Sequence, residues 1–243
     1  MRGTVRIEAV RAGGRTRVTT CTGAPPITPR QTGRETVHLV GSAGGPIPRD
    51  EVEVEVVVAA GARLTLAAVA ATVALPGPDR SAPPSRWITR ARIADGGRLV
   101  LLGQPLVAAA GCRHRAQTVI ELSGDARLRW RDVVVAGRSD ETSGDLVSEQ
   151  RVRRDGVPVL EQQMHLGARG WDGAAVLAGQ RCVGTLVLSG PPEWQPAEVV
   201  HAGPRAVLLP LAAKGSAVAT AIGDPVTVQQ ALDELALRIP DIG

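Results

Sequence analysis

Val52-Glu53-Val54-Glu55-Val56 alternates apolar and acidic side chains with a period of two, the mark of a strand with one face in a core and the other in water. Ala60-Gly61-Ala62 interrupts the alternation and Leu64-Thr65-Leu66 resumes it. Together they predict two neighbouring antiparallel strands. Further short runs follow, each bounded by Gly, Pro or Asp. Residues 98–102 follow the turn Asp95-Gly96-Gly97. Residues 117–122 and 127–135 flank Ser123-Gly124-Asp125-Ala126, a loop of hairpin length. In the second of that pair Leu128, Trp130 and Asp132 share one face, and the arginines at 127, 129 and 131 share the other. Residues 146–153 and 157–166 surround Asp155-Gly156, whose two residues suit the positive φ angles of a type I′ hairpin turn. Residues 184–188 and 206–211 complete the strands. No helical pattern separates them, which argues against a parallel sheet with helical crossovers. The predicted fold is mainly β, rich in antiparallel pairing.

One helix is expected, near residues 227–239. Thr227 with Gln230 fits a capping box, Pro225 lies just upstream, and Pro240 stops the run. Val228, Ala231, Leu232, Leu235 and Ile239 form a stripe at helical spacing. That stripe either packs on the protein's own β layer or faces a partner. Residues 217–222 read as a short helical turn, and residues 76–84 and 24–29 as proline-rich loops. No internal repeat of fixed period is found, and residues 1–243 read as one domain.

Composition narrows the function. A chain of 243 residues with 44% hydrophobic and 21% charged residues can bury a substantial core, which excludes wholesale disorder. No apolar run approaches the roughly 20 residues of a membrane span, and no apolar stretch follows the first charges as in a secretory signal. Cys21, Cys112 and Cys182 are too scattered for a disulfide framework, so a reducing cytoplasm is the expected compartment. The chain has neither Phe nor Tyr, and Lys214 is its single lysine. The net charge of +4 comes from arginines dispersed among 24 acids, without the interleaved aromatic rings that stack nucleic-acid bases. No nucleic-acid partner is expected.

Nucleotide-binding, zinc-protease and serine-hydrolase motifs are all missing. The four histidines lie far apart, and Cys112-Arg113-His114 supplies too few ligands for a tight metal site. Acids do gather beside glycine turns: Asp50-Glu51, Asp140-Glu141 and Asp145 after Gly144. Such carboxylates close turns, or as a pair could serve a hydrolase. A β-rich binding or structural module is the other general reading.

The stretch Val37-His38-Leu39-Val40-Gly41-Ser42-Ala43-Gly44-Gly45-Pro46-Ile47-Pro48-Arg49-Asp50 resembles the urease accessory protein UreD (UreH) family: a hydrophobic strand, a Gly-Gly pair, then an Asp leading into an alternating strand. Residues 99–105 resemble that family's apolar strand ending in proline. Residues 134–145, with Gly137-Arg138 and Gly144-Asp145, resemble its Gly-Arg…Gly-Glu block. Arg49 stands where the family has Gly, and Asp145 where it has Glu. The resemblance implies a layered, partly helical stack of β-sheets with helical structure at the C-terminus. It also implies a non-enzymatic urease maturation factor that binds the urease apoprotein, UreF and UreG. Nickel would be held transiently rather than as a resident cofactor, and would pass through a polar interior passage. On that footing Asp50, Glu51, Glu141 and Asp145 are candidates to line the passage. Gly44, Gly45, Gly137, Arg138 and Gly144 are candidates to shape turns, and Leu232, Leu235 and Ile239 to meet UreF.

Overall fold

The computed structural model describes residues 1–191, 193–194, 200–201 and 205–237. Two sheets face each other across a core of Val, Leu, Ile and Ala. The first contains β1 (Arg2–Ala12), β2 (Arg15–Gly23), β5 (Glu51–Val58), β8 (Ser85–Ile93), β11 (Arg113–Leu122), β13 (Asp145–Arg154) and β14 (Val157–Leu166), in the order β14-β13-β11-β8-β5-β1-β2. The second contains β3 (Ile27–Gln31), β4 (Thr36–Gly41), β6 (Arg63–Ala68), β9 (Arg98–Leu102), β12 (Arg127–Ala136), β15 (Cys182–Ser189), β16 (Val200–His201), β17 (Ala206–Pro210) and β18 (Ser216–Gly223), in the order β16-β17-β18-β15-β12-β9-β6-β4-β3. Short β7 (Thr72–Ala74) and β10 (Leu106–Ala108) extend it beside β12.

The protein is mainly β and layered, as expected, but the pairing is mixed. In the first sheet β1, β5, β8, β11 and β13 run parallel to one another, and in the second β4, β6, β9 and β12 do. The chain coils like a solenoid, laying one strand in each sheet and then moving up a level. This corrects two expected hairpins. β5 and β6 lie in opposite sheets, as do β11 and β12. The turns that cross from one sheet to the other, at residues 59–62, 94–97 and 123–126, bond to the neighbouring coil instead of closing a ladder. Gly61 N–H donates to the Asp95 carbonyl at 3.0 Å, Arg98 N–H to that of Ala62 at 2.9 Å, and Arg127 N–H to that of Gly97 at 2.8 Å. The Asp155-Gly156 hairpin forms as read, with φ of 50° and 79°, and pairs β13 with β14 antiparallel.

Val52, Val54, Val56 and Val58 enter the core while Glu51, Glu53 and Glu55 stay half-exposed, which is what the alternation requires. Residues 217–222, expected as a helical turn, belong to β18. Pairing with β15 and β17 overrides the helical preference of their alanines. The helix α1 (Pro225–Leu237) begins before Thr227 because Asp224 caps it: its Oδ1 accepts from Val226 N–H at 3.1 Å and Thr227 N–H at 3.0 Å. Val228, Leu232, Leu235 and Ala236 are buried against the outer face of the second sheet, among Val133, Leu186, Leu208 and Ala219. Leu232 and Leu235, candidates for a partner contact, are thus covered by the protein's own strands. Ile239 lies outside the described residues.

Candidate functional site

A cavity of about 450 Å³ lies between the sheets. Its inner walls come from alternate residues of facing strands: Asp50 and Val52 at the start of β5, Trp87 and Thr89 on β8, His114 and Thr118 on β11, Trp130 and Asp132 on β12, and Ser148 on β13. Gly44, Gly45 and Pro46 stand at its rim. Asp132 and Ser148 also line a second void of about 10 Å³, the room one water needs, with Gln150, Gln162 and Thr185. Polar side chains from Asp50 to Thr185 thus line two neighbouring voids in a core that is otherwise apolar.

Asp132 lines both voids. Its carboxylate accepts from Gln150 Nε2 at 2.6 Å and Ser148 Oγ at 3.4 Å, and Gln162 continues the chain by donating to Gln150 Oε1 and to Thr185 Oγ1. Burial pushes the Asp132 carboxyl up, and the Gln150 and Ser148 hydrogen bonds oppose this only in part. Arg131 contributes to the cavity wall, but its guanidinium bonds Asp233 of α1 on the far side of the sheet at 2.8 Å. Asp50 and Asp132 are the acids of the described lining.

Asp50 is 6% exposed. Its carboxylate accepts from the Met1 amino nitrogen and from Ile47 N–H at 3.0 Å. Arg49 takes φ of 72°, the conformation that glycine adopts freely, and its guanidinium reaches Asp79 at 3.0 Å rather than Asp50. His114 is fully buried. Its Nδ1 meets Ser85 Oγ at 2.8 Å, and Nε2 has no partner among the described residues. Burial, helped by Arg115, pulls the imidazole down to about 4, so it is neutral at pH 7.

The other predicted acids lie outside the cavity lining. Glu51 pairs with Arg2 at 2.7 Å on the outer face of the first sheet. Asp145 holds Arg115 at 3.2 Å and His165 at 2.6 Å. Partial burial raises its carboxyl, but those two hydrogen bonds outweigh it and the net direction is down. Glu141 bonds Arg138, and Arg181 ties the same loop by donating to the carbonyls of Ala136 at 2.8 Å and Arg138 at 2.7 Å. Gly137 has φ of 73° in that loop. Gly144 has no room for a side chain: a Cβ there would stand 2.3 Å from the Ala109 carbonyl oxygen and 2.5 Å from Cys112 Sγ. Gly44 has open space around it, and Gly45 has φ of 109°. The Gly-Arg…Gly-Asp block is a surface clasp. Asp132, Ser148, Gln150, Gln162 and Thr185 were not among the sequence candidates. The signal that could have found them is an acid on the apolar face of Leu128 and Trp130.

The clasp has a measurable titration. Hydrogen bonds from Arg138 hold the Glu141 carboxyl down to about 2, against an ordinary 4.5. Because the folded value is the lower one, the pair's contribution is complete above about 4.5 and disappears as pH falls toward 2. The Tm difference between wild type and Glu141→Gln should therefore shrink over that window. A difference independent of pH would contradict the pairing.

No group of three or more His, Cys, Asp or Glu side chains placed to hold a metal ion occurs among the described residues. Nor, among those residues, is any helix long and apolar enough to cross a membrane. Residues 1–235 match the family described as UreD urease accessory protein. The chain is 38% identical over 266 residues to urease accessory protein UreD of Parafrankia sp. (strain EAN1pec), covering 97% of this chain and 89% of that one. It is 37% identical over 243 residues to the UreD of Streptomyces avermitilis, covering 96% of each. With urease accessory protein UreD 1 of Saccharopolyspora erythraea the identity is 37% over 247 residues, covering 98% of this chain and 94% of that one. Agreement of this length and depth is the conclusion in itself: the chain belongs to the UreD urease accessory protein family.

Proposed function

We propose that this protein is a non-catalytic urease maturation factor. It binds the urease apoprotein together with UreF and UreG, and it conducts nickel toward the urease active site through the polar line between its sheets. The observation that carries this reading is the pair of neighbouring cavities whose linings share Asp132 and Ser148. Ni²⁺ in transit needs ligands it can leave, and carboxylate, hydroxyl and amide oxygens exchange more readily than a His/Cys cage. Asp132, Thr89, Thr118, Ser148, Gln150 and Gln162 are groups of that kind. Burial raises the proton affinity of the Asp132 carboxyl, and a divalent ion beside it would supply the counter-charge that its surroundings lack. Membership of an accessory-protein family supports the absence of catalysis.

Complementation tests the reading. In a urease-positive host, deletion of this gene should abolish urease activity at limiting nickel, and the wild-type gene should restore it. Full activity in the deletion strain at limiting nickel would remove the proposal.

A further inference from the structure

The two sheets present different charge patterns to solvent. On the outer face of the first, opposite charges pair at several points, Arg2 with Glu51, Arg90 with Glu53, Arg6 with Glu8, Arg153 with Glu161 and Arg115 with Asp145, so that its one in-register arginine pair, Arg86 with Arg115, has a carboxylate at hand. The outer face of the second sheet breaks the pattern. Arg63, Arg98 and Arg127 are directly in register on the neighbouring strands β6, β9 and β12. Like charges directly opposite on adjacent strands destabilise a sheet. Among the described residues no carboxylate comes within 4.0 Å of Arg63 or Arg98, and Glu35 acts on Arg98 only from a greater distance. Arg127 has an interaction of its own. Burial and the neighbouring guanidiniums Arg63 and Arg127 all disfavour the charge on Arg98. Beside the row, Thr65 and Val100 form a shallow, half-buried strip.

The molecule also shows how such a face is covered. α1 lies across β15, β18, β12 and β17, and its Asp233 reaches down to Arg131 at 2.8 Å and Arg129 at 3.6 Å. One helical carboxylate thus holds two arginines of the same face. Strands are spaced about 4.8 Å apart and packed helices about 8–10 Å apart. A second helix beside α1 on this face would reach β9 and β6, the strands that follow β12 in the sheet. Its apolar side would rest on Thr65 and Val100, and its carboxylates would meet Arg63 and Arg98.

We infer that the exposed half of the second sheet is a docking face for an amphipathic helix of a partner protein, recognised through carboxylates that pair with Arg63 and Arg98 beside an apolar stripe. Carboxylate is favoured over nucleic-acid phosphate because Trp87 and Trp130 face the interior cavity, Trp171 and Trp194 pack on core clusters away from the row, and the chain has no Phe or Tyr to stack bases. The inference goes beyond the nickel passage and does not depend on it.

Two labelled helical peptides of about 18 residues, with the same Leu/Ala stripe but flanked by Glu in one and Lys in the other, test it on the full-length chain by fluorescence anisotropy. The Glu peptide should bind at least about tenfold tighter at low salt and weaken as salt rises. Arg63→Glu/Arg98→Glu should reverse the preference. Arg63→Gln/Arg98→Gln, whose fold is checked by circular dichroism, should erase it. The inference fails if neither peptide binds, if both bind alike, or if the Gln variant retains the preference. It also fails if a dT20 oligonucleotide binds more tightly than the Glu peptide, or if light scattering shows that a second copy of the chain already occupies the face. No urease protein enters the assay, so its failure is separate from failure of the maturation reading.

Discussion

Leu235→Asp should unfold or strongly destabilise the protein, with a cost on the order of 4 kcal/mol and a fall in Tm of about 10 °C or more. Leu235 has no exposed surface and sits among Leu186, Leu208 and Ala219 beneath α1. The helix is pressed onto the sheet. A Cβ built on Gly184 of β15 would stand 2.5 Å from Val228 Cγ1 and 2.7 Å from Leu232 Cδ1. An aspartate there loses the aliphatic packing and brings a charge with no partner. Leu237→Asp, two residues further on and 77% exposed, should leave Tm nearly unchanged. Thermal unfolding of both variants separates the two meanings of the apolar stripe. A folded Leu235→Asp with wild-type Tm that no longer captures a partner would show that the stripe faces outward, against the packing described here.

Strands were legible in the sequence because period-two alternation records burial directly. Val52, Val54 and Val56 point inward as the pattern says. Pairing was not legible, because a four-residue turn such as 59–62 looks like a hairpin loop whether its strands join one sheet or two. What decides is where the turn's backbone groups bond, and here they bond to the next coil. A trace of the coiling is present: Arg63-Leu64, Arg98-Leu99 and Arg127-Leu128 each follow a Gly- or Asp-containing turn and stack in register. Their spacing is unequal, since the long loop between β7 and β8 lies within one coil, and no fixed period results. Asp155-Gly156 could be read because positive φ at both positions leaves few alternatives. Asp224 escaped notice as the helix cap because Thr227 offered a plausible capping box three residues later.

Among the candidate residues, Asp50 was picked out by its place after the Gly-Gly pair, and it stands in the cavity wall. Glu51, Glu141 and Asp145 came from the same logic of acids beside glycine turns. Turns lie at the surface, however, where arginines are at hand to pair with them. The interior polar line follows a different rule. Asp132 shares a face with Leu128 and Trp130, while Ser148 and Gln150 share one with Leu146 and Val152. Polar residues on an apolar face cost free energy unless they are partnered, so each marks a place where the core departs from aliphatic packing. That two such faces meet across the core depends on the coiling, which the sequence did not reveal.

Asp132 is where the central claim is most exposed. Its carboxyl lines both voids, and Gln150 and Ser148 hold it in place. Asp132→Asn retains the shape and removes the acid, whereas Asp132→Ala removes both. Neither should unfold the chain, because a buried carboxyl with a raised proton affinity is itself a burden on stability. The measurement is the nickel content per urease active site after maturation at limiting nickel, with capture of the urease apoprotein measured on the same samples. The account predicts capture within about twofold of wild type. It predicts nickel loading lowered by about tenfold for Asp132→Ala and nearly as much for Asp132→Asn, restored by excess nickel. Full nickel loading by both variants at limiting nickel, with capture intact, would contradict passage of the ion along this line.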